Sequence, residues 1–448
     1  MITHYLERMA TFGAIQAIVE ADQVTTYAGL LAKVKEWQGR LTEAGLRPGE
    51  VVALEATHSP DACAAMLALI SAGAICVPMT GLPDAKRSEF EDVAQVERIA
   101  RVDQAGGGVT FERTGRAADH QLYDSLREGG TAGLVLFSSG TTGRSKAALL
   151  DFDRVLARYP DRRRSQRTLS FLNLDHIGGI NTLLHTLSQG GTIVTVPRRT
   201  PDLVFQAVEK NGIEVLPTTP TFLTMTLISG AHHRYNTGSL RLITYGTEPM
   251  PEQTLRQLGR ELPNVRLKQT YGLSELGILS TKSKSDDSLW VRLGGPDFDY
   301  KVVDGVLWIK SKMAMLGYLN APAPFDEAGY FNTQDAVEVE GEYLRILGRT
   351  SELINVAGEK VYPNEVESVL LEIDNIADAT VVGRANPVTG MVVKAIIRPV
   401  RPENERALRR RVIEFCNARL EPYKVPAVVE ISEAAQHSDR FKKLRRAS

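Results

Sequence analysis

Helical and extended patterns alternate along most of this chain, and that alternation restricts its fold more than any other feature. Residues 26–45, TYAGLLAKVKEWQGRLTEAG, repeat apolar side chains at helical spacing and stop at Gly45; after RPGE, the run VVALEA reads as a strand. The unit then recurs. SPDACAAMLALISAGA opens on Ser59 and Pro60, which suit a helix start, and ICVPM follows as a strand. DLVFQAVEKNGIEVLPTTP and EQTLRQLGRELPNVRLKQTYG each give a helix, a turn and a strand. Such alternation predicts parallel-type sheets covered by helices. Beyond about residue 285 the pattern changes to short strands and turns, in VRLGG, YKVVDGVLWIK and AVEVEGEYLRILG, which predicts a small β subdomain. The remainder reads as a small α+β unit, with ATVVGRAN and VVKAIIRPV as strands and ERALRRRVIEFCNARL as a helix. A length of 448 residues exceeds the roughly 100 to 200 of one domain. The expected division is an N-terminal α/β domain, 1–348, and a C-terminal domain, 349–448.

Charge excludes some partners. Lys plus Arg number 53 against 54 Asp plus Glu, a net charge of −1, so no global field draws the chain to nucleic acid or an anionic membrane. Any bound anion must be held locally. The basic run LRRRV near residue 410 stands without interleaved aromatics and reads as a solvated helix face. Cys63, Cys76 and Cys416 are isolated among apolar neighbours, as buried thiols in a reducing compartment would be. The start MITHYLERMATFG lacks a basic segment leading into an apolar one, and no uncharged apolar run reaches the ~18 residues of a membrane span. A soluble, cytoplasmic protein is expected.

One loop addresses the local anion. FSSGTTGRSKAA, residues 137–148, follows the apolar run GLVLF and gathers backbone N–H groups and hydroxyls at one point, with Lys146 as a cation. Such a cluster is how proteins hold phosphate oxygens without a large charged pocket, and on its own a purely structural loop is the alternative. It is not a Walker loop, because Arg144 rather than Lys follows Gly143.

With other stretches, in order along nearly the whole chain, this loop resembles the phosphate loop of the adenylate-forming superfamily of acyl- and aryl-CoA ligases, peptide-synthetase adenylation domains and luciferases. TYGLSELG (270–277) is similar to its YGxTE motif, YFNTQD (330–335) to YxTGD, and GRTSELINVAGEKVYPNEVE (348–367) to its hinge and the start of its mobile small domain. PYKVP (422–426) and RFKKLRR (440–446) resemble the segment that carries a catalytic lysine. The resemblance implies that ATP activates a carboxylic acid as an acyl-adenylate, which is then transferred to a thiol. Ser138, Ser139, Gly140, Thr141, Thr142 and Gly143 would wrap the β- and γ-phosphates with Lys146 beside them, and Glu275 would hold Mg²⁺. Gly246, Thr247 and Glu248 would meet the adenine, Tyr271 would pack on its other face, and Gly272 and Ser274 belong to the same nucleotide motif. Asp335 would accept from the ribose hydroxyls, with Arg349 on ribose or phosphate. Lys442 would bridge carboxylate and α-phosphate; Lys443 is the alternative by one position, because Phe441 and Lys442 stand where the family reads GK.

The resemblance also places a catalytic or pocket histidine at His176, usual in CoA ligases; Asp175, one position earlier, leaves an amine-bearing substrate open, and His176 as a helix cap is the structural alternative. Gly178 and Gly179 would make room for a ring or chain, and Thr218, Thr219, Leu273, Gly277 and Ile278 would line the acyl pocket. Ser351 replaces the hinge aspartate, and Gly358 is kept where the second pose approaches a pantetheine arm. Other departures are SKAA for PKG, NTQD for TGD and Ser274 for threonine. The expected cofactors are ATP, Mg²⁺ and either CoA or a carrier-protein phosphopantetheine; the expected partners are a small carboxylic acid and, in the second case, an acyl carrier protein, from a monomer or homodimer. Three functions therefore stand: an acid–CoA ligase, a free-standing enzyme loading a carrier protein, and a nucleotide-binding module without catalysis, against which Lys442, Glu275, Asp335 and Lys146 argue.

Overall fold

The helices start where their caps stand. Thr26 Oγ1 accepts from Gly29 N at 3.1 Å to open Tyr27–Glu43, and Ser59 Oγ accepts from Ala62 N at 3.1 Å to open Pro60–Ser71, with Pro60 in the first turn. Gly45, at φ +66°, ends the former in the left-handed conformation that glycine adopts without strain. The computed structural model describes residues 1–102, 109–138, 144–160, 164–432, 437 and 443.

Two α/β sheets form the larger part. In the first, strands run in the order Arg266–Gln269, Leu242–Tyr245, Val215–Thr218, Arg167–Leu169, Thr192–Thr195, Gln16–Glu20 and Gln23–Thr26, parallel except for the terminal hairpin. In the second, Gly133–Ser138, Ile75–Met79, Val51–Glu55 and Arg98–Val102 are parallel neighbours; antiparallel strands Lys146–Asp151 and Gly317–Tyr318 flank one side and Val109–Arg113 the other. The helix–strand alternation of the sequence is thus these two sheets. Helix Pro60–Ser71 buries Pro60 and every residue from Ala62 to Ile70, as an all-apolar helix must when elements cover it on all sides. One core joins Ile18 and Ile193 of the first sheet, Leu54, Leu134 and Leu136 of the second, and Leu183, Leu184 and Leu187 of helix Ile177–Ser188. Each such side chain contributes about 1.5 to 3 kcal/mol by leaving water, so a charge placed among them would break the sheet-to-sheet contact.

The third sheet is antiparallel, in the order Tyr271–Leu273, Gly277–Ser283, Trp290–Gly294, Tyr343–Arg349, Phe331–Glu340, Val306–Ser311 and Phe298–Val303, and contains the short strands predicted past residue 285. The single turn Thr350–Glu352 leads from it to a fourth sheet of Glu359–Val361, Ile354–Val356, Gly390–Pro399, Ile376–Asn386 and Val428–Ile431. Helices Pro363–Leu370 and Glu405–Asn417 cover that sheet around a core of their own, including Val366, Leu370, Val381, Ile397, Leu408 and Val412. All three cysteines are buried free thiols. Among the described residues no helix is long and apolar enough to cross a membrane.

Candidate active site

Strands Gly133–Ser138 and Lys146–Asp151, which flank the phosphate-type loop, pair antiparallel, with Ser138 and Lys146 opposite each other at its neck. Ser139, Gly140, Thr141, Thr142 and Gly143 lie outside the described residues. Past the loop, Asn320 clamps the chain: its Oδ1 accepts from Ala147 N at 3.0 Å and its Nδ2 donates to Ser145 O at 2.8 Å. Glu275 arrives at this neck from the third sheet. Tyr271–Leu273 and Gly277–Ser283 pair around residues 274–276, and Gly277, at φ +79°, makes the tight return while leaving space that Met313 Cε fills, 2.1 Å from where a Cβ would stand. Gly272 in the same hairpin lies against Ile278 and Gly277 O, which exclude a side chain. The result is a carboxylate 7% exposed, whose Oε1 accepts from Tyr318 OH at 2.8 Å and Ser138 Oγ at 3.3 Å. Among the described residues Glu275 has no ion pair. Lys146 Nζ stands 5.2 Å from the centre of the Tyr318 ring. Burial, then the Glu275 charge, pushes the Tyr318 hydroxyl far above its usual range, so it stays a donor.

A second cluster begins on the same hairpin. Tyr271 OH donates to Asp335 Oδ2, Arg349 Nε meets Asp335 Oδ1 at 2.8 Å, and Asp335 and Arg349 are cross-strand partners. Thr333 fixes both ends: its Oγ1 accepts from Asp335 N at 3.1 Å and its carbonyl accepts from Arg349 Nη1 at 3.1 Å. Gln334 between them takes a left-handed φ of +60°. Burial and the neighbouring Asp335 hold the Tyr271 hydroxyl well above its ordinary range. Burial works to lower Arg349, but Asp335, Tyr271 and Glu275 together raise it, which puts the two clusters within one electrostatic field.

At the carboxyl end of strand Leu242–Tyr245, Gly246 lies so close to Thr270 that a Cβ would stand 2.6 Å from its carbonyl oxygen, and Thr247 holds φ +74°. A β-branched residue in that region is strained, a condition that clusters at ligand sites. Glu248 Oε1 accepts from Thr221 N at 2.8 Å and Oε2 from Lys443 N at 3.2 Å. Burial raises the Glu248 carboxyl above the usual carboxylate range, opposed in part by the Thr221 bonds.

The expected acyl pocket has different internal reasons. His176 caps helix Ile177–Ser188, its Nδ1 accepting from Gly178 N at 3.0 Å, which leaves the ring proton on Nε2. Asp175 beside it is buried. Gly178 and Gly179 do not open space for a substrate ring: a Cβ on Gly179 would stand 2.0 Å from Asn173 O, and one on Gly178 would stand 2.6 Å from Leu172 Cδ1, so the chain itself occupies that room. Thr219 caps helix Pro220–Ser229 through Phe222 N at 3.2 Å, while Thr218 Oγ1 is buried with no partner among the described residues. Leu273 is buried, and Ser274 and Ile278 are half-buried. In the fourth sheet Gly358 turns at φ +97° with open space beside it, and Ser351 is exposed. Lys442 lies outside the described residues. Lys443, the alternative, has its ammonium engaged by Ala379 O, Glu367 and Asp378. Tyr318, Asn320 and Thr333 were missed from the sequence; nothing in GYLN or FNTQD announces a partner more than 40 positions away or a buried hydroxyl bridging two strands.

Comparison with known proteins matches residues 6–319 to the AMP-binding enzyme family and residues 365–442 to the AMP-binding enzyme C-terminal domain. An indoleacetate–CoA ligase of Aromatoleum aromaticum is 28% identical over 90% of this chain and 88% of its own length. A long-chain-fatty-acid–CoA ligase of Mycobacterium tuberculosis is 26% identical over 96% of this chain and 93% of its own. The solved anthranilate CoA ligase in complex with anthranoyl-AMP superposes with a TM-score of 0.83 at 19% identity, covering 99% of this chain and 95% of that one.

Proposed function

This chain belongs to the AMP-binding enzymes, with their C-terminal domain following, and from that premise we propose how its site carries out ATP-dependent joining of a carboxylic acid to CoA. It is an AMP-forming acid–thiol ligase of the acyl- or aryl-CoA synthetase type, as its curated relatives are. In the first step a carboxylate oxygen of the acid attacks the α-phosphorus of ATP and pyrophosphate leaves. In the second, a thiol sulfur attacks the carbonyl carbon of the acyl-adenylate and AMP leaves.

The observation that carries the reading is the shared hairpin: Glu275, at the neck of the phosphate-type loop, and Tyr271, bonded to Asp335, stand on it four residues apart in sequence. One hairpin thereby registers a phosphate end and a ribose end. Asp335 offers the ribose two acceptor oxygens oriented by Tyr271 and Arg349. Ser138 and Lys146 meet the phosphates. Among the described residues the side chain of this buried carboxylate is contacted by hydroxyls alone, which suits a hard divalent cation, so Glu275 with Ser138 would hold Mg²⁺, which would supply charge neutralisation beside the phosphates when bound. Lys442 bridges the reacting carboxylate and α-phosphate, a role supported by the commitment of Lys443 to its own protein partners. His176, with its proton on Nε2, faces the acid, Gly358 lies beside the thiol in the second step, and the small domain begins at residue 349 with Ser351 at its hinge. Acids without an α-amino group, aromatic or of short to medium chain, are the expected substrates.

The test is pyrophosphate release over a panel of benzoates, arylpropenoates, fatty acids and amino acids, first without thiol and then with CoA or a holo carrier protein. Acyl-CoA formation supports the ligase with CoA as acceptor, and multiple turnover only with the carrier overturns that choice. Signal from amino acids alone overturns the substrate reading and makes Asp175 the ammonium partner. Lys442→Ala should abolish ATP–pyrophosphate exchange yet still convert a presynthesised acyl-adenylate to thioester; undiminished exchange refutes its assignment.

A further inference from the structure

Lys443 has a side chain only 9% exposed, and its ammonium lies between two buried carboxylates, Glu367 Oε2 at 3.4 Å and Asp378 Oδ1 at 3.5 Å, while also donating to Ala379 O. These partners all belong to the fourth-sheet unit, on helix Pro363–Leu370 and strand Ile376–Asn386. Its main-chain N–H donates to Glu248 Oε2 at 3.2 Å, while Glu248 Oε1 accepts from Thr221 N. His437 and Lys443 are antiparallel bridge partners, so the positions flanking 438–442 are fixed together. A solvated basic tail would show none of this. An ammonium largely buried against two acids fixes a chain far better than a surface pair, because losing it leaves two buried carboxylates without a counter-charge.

We propose that Lys443 is a positioning residue: its ammonium, locked to Glu367 and Asp378, anchors the C-terminal segment so that the adjacent Lys442 is delivered to the reacting groups during adenylation, while its N–H registers that segment on Glu248. The inference rests on the ligase reading above. It assigns the second lysine of the FKK run to the small unit's interior and the first to the chemistry. A positively charged anchor, not bulk, is what the acid pair requires.

The experiment compares Lys443→Met, Lys443→Arg and the double variant Glu367→Gln/Asp378→Asn in the full chain. The double variant is the safeguard on folding, since its amides need no counter-charge and a terminal lysine released from them passes into water. Misplacing a catalytic group by about an ångström costs on the order of 100-fold, so Lys443→Met and the double variant should each lower kcat for pyrophosphate exchange roughly 10- to 100-fold with KM for ATP and acid within about twofold. Lys443→Arg should recover most of the rate. Combining all three neutralising changes should cost no more than either set alone, because both remove one interaction. Thioester formation from presynthesised acyl-adenylate should be spared in every variant. Limited trypsinolysis reads the anchor without any activity: cleavage at Arg440 to Arg446 should accelerate in Lys443→Met and the double variant, not in Lys443→Arg. Unchanged cleavage and exchange in the double variant would overturn the anchor. Accelerated cleavage in a chain whose wild type activates no acid would support the anchor and overturn the ligase reading instead.

Discussion

Tyr318→Phe removes one oxygen from the neck of the phosphate-type loop and tests whether Glu275 is there for a cation. Both residues are 7% exposed, and the hydroxyl lies 2.8 Å from Glu275 Oε1. Hydrogen bonds to charged acceptors contribute about 1.5 to 3 kcal/mol, and their loss leaves the acceptor's desolvation uncompensated. The other donor, Ser138 Oγ, is 3.3 Å away, too long to replace it fully. We expect a loss of about 2 kcal/mol in the unliganded protein, a fall in Tm of about 2 to 4 °C for a cooperative unit of this size. If Glu275 holds Mg²⁺ as proposed, its orphaned oxygen would gain a partner when Mg²⁺ and ATP bind, and most of that deficit should vanish. On the proposed assignment of Glu275 to Mg²⁺, the hydroxyl orients the metal's carboxylate, and the Mg²⁺ concentration for half-maximal pyrophosphate release should rise about 10- to 100-fold. Differential scanning fluorimetry with and without Mg²⁺ and ATP, beside a Mg²⁺ titration of initial rate, separates the effects. An equal Tm loss in both conditions with an unchanged Mg²⁺ titration would show that Tyr318 merely fills a structural gap and that Glu275 is not the metal carboxylate.

Asp335→Asn keeps the shape beside Tyr271 and Arg349 but withdraws the charge that the proposed site offers the ribose; KM for ATP should rise roughly 10- to 100-fold, measured by exchange kinetics, with the acid's KM little changed. Gly179→Ala would drive a methyl into Asn173 O and should cost more than about 3 kcal/mol, visible as a lowered denaturation midpoint; a neutral outcome would mean the start of helix Ile177–Ser188 is not packed against 172–173 as described. The ring nitrogens of His58 have no partner among the described residues, and burial lowers its pKa from 6.5 to about 4. The unfolded chain then takes up a proton that the folded one refuses, so this group's contribution to stability is whole above pH 6.5 and is lost as pH falls towards about 4, on the order of 2 to 3 kcal/mol. Denaturant melts of His58→Gln should show a shallower decline across that window.

What the sequence disclosed and what it withheld divide along chain distance. Ser59 with Pro60, Thr26 and Gly45 act within one helical turn, and the alternation from Tyr27 onward is local periodicity, so both were legible. YGLSELG was legible for a related reason: Gly272 and Gly277 are required by a three-residue return, and the return itself carries Glu275. Tyr318 was invisible because its hydroxyl acts across 43 positions, from a two-residue strand whose only local signal is apolar. Gly178 and Gly179 were read as room for substrate because a missing side chain marks close approach without saying what approaches; here it is the Leu172 side chain at Gly178 and the backbone of Leu172 and Asn173 at Gly179. Lys443 is the instructive case. A basic run at a chain end usually belongs to solvent, and only the buried acids 76 and 65 positions earlier, Glu367 and Asp378, give its second lysine an interior address. Charge patterns along a chain therefore identify candidates for chemistry, whereas burial of the complementary charge shows which of two adjacent candidates is already committed to the protein's own interior.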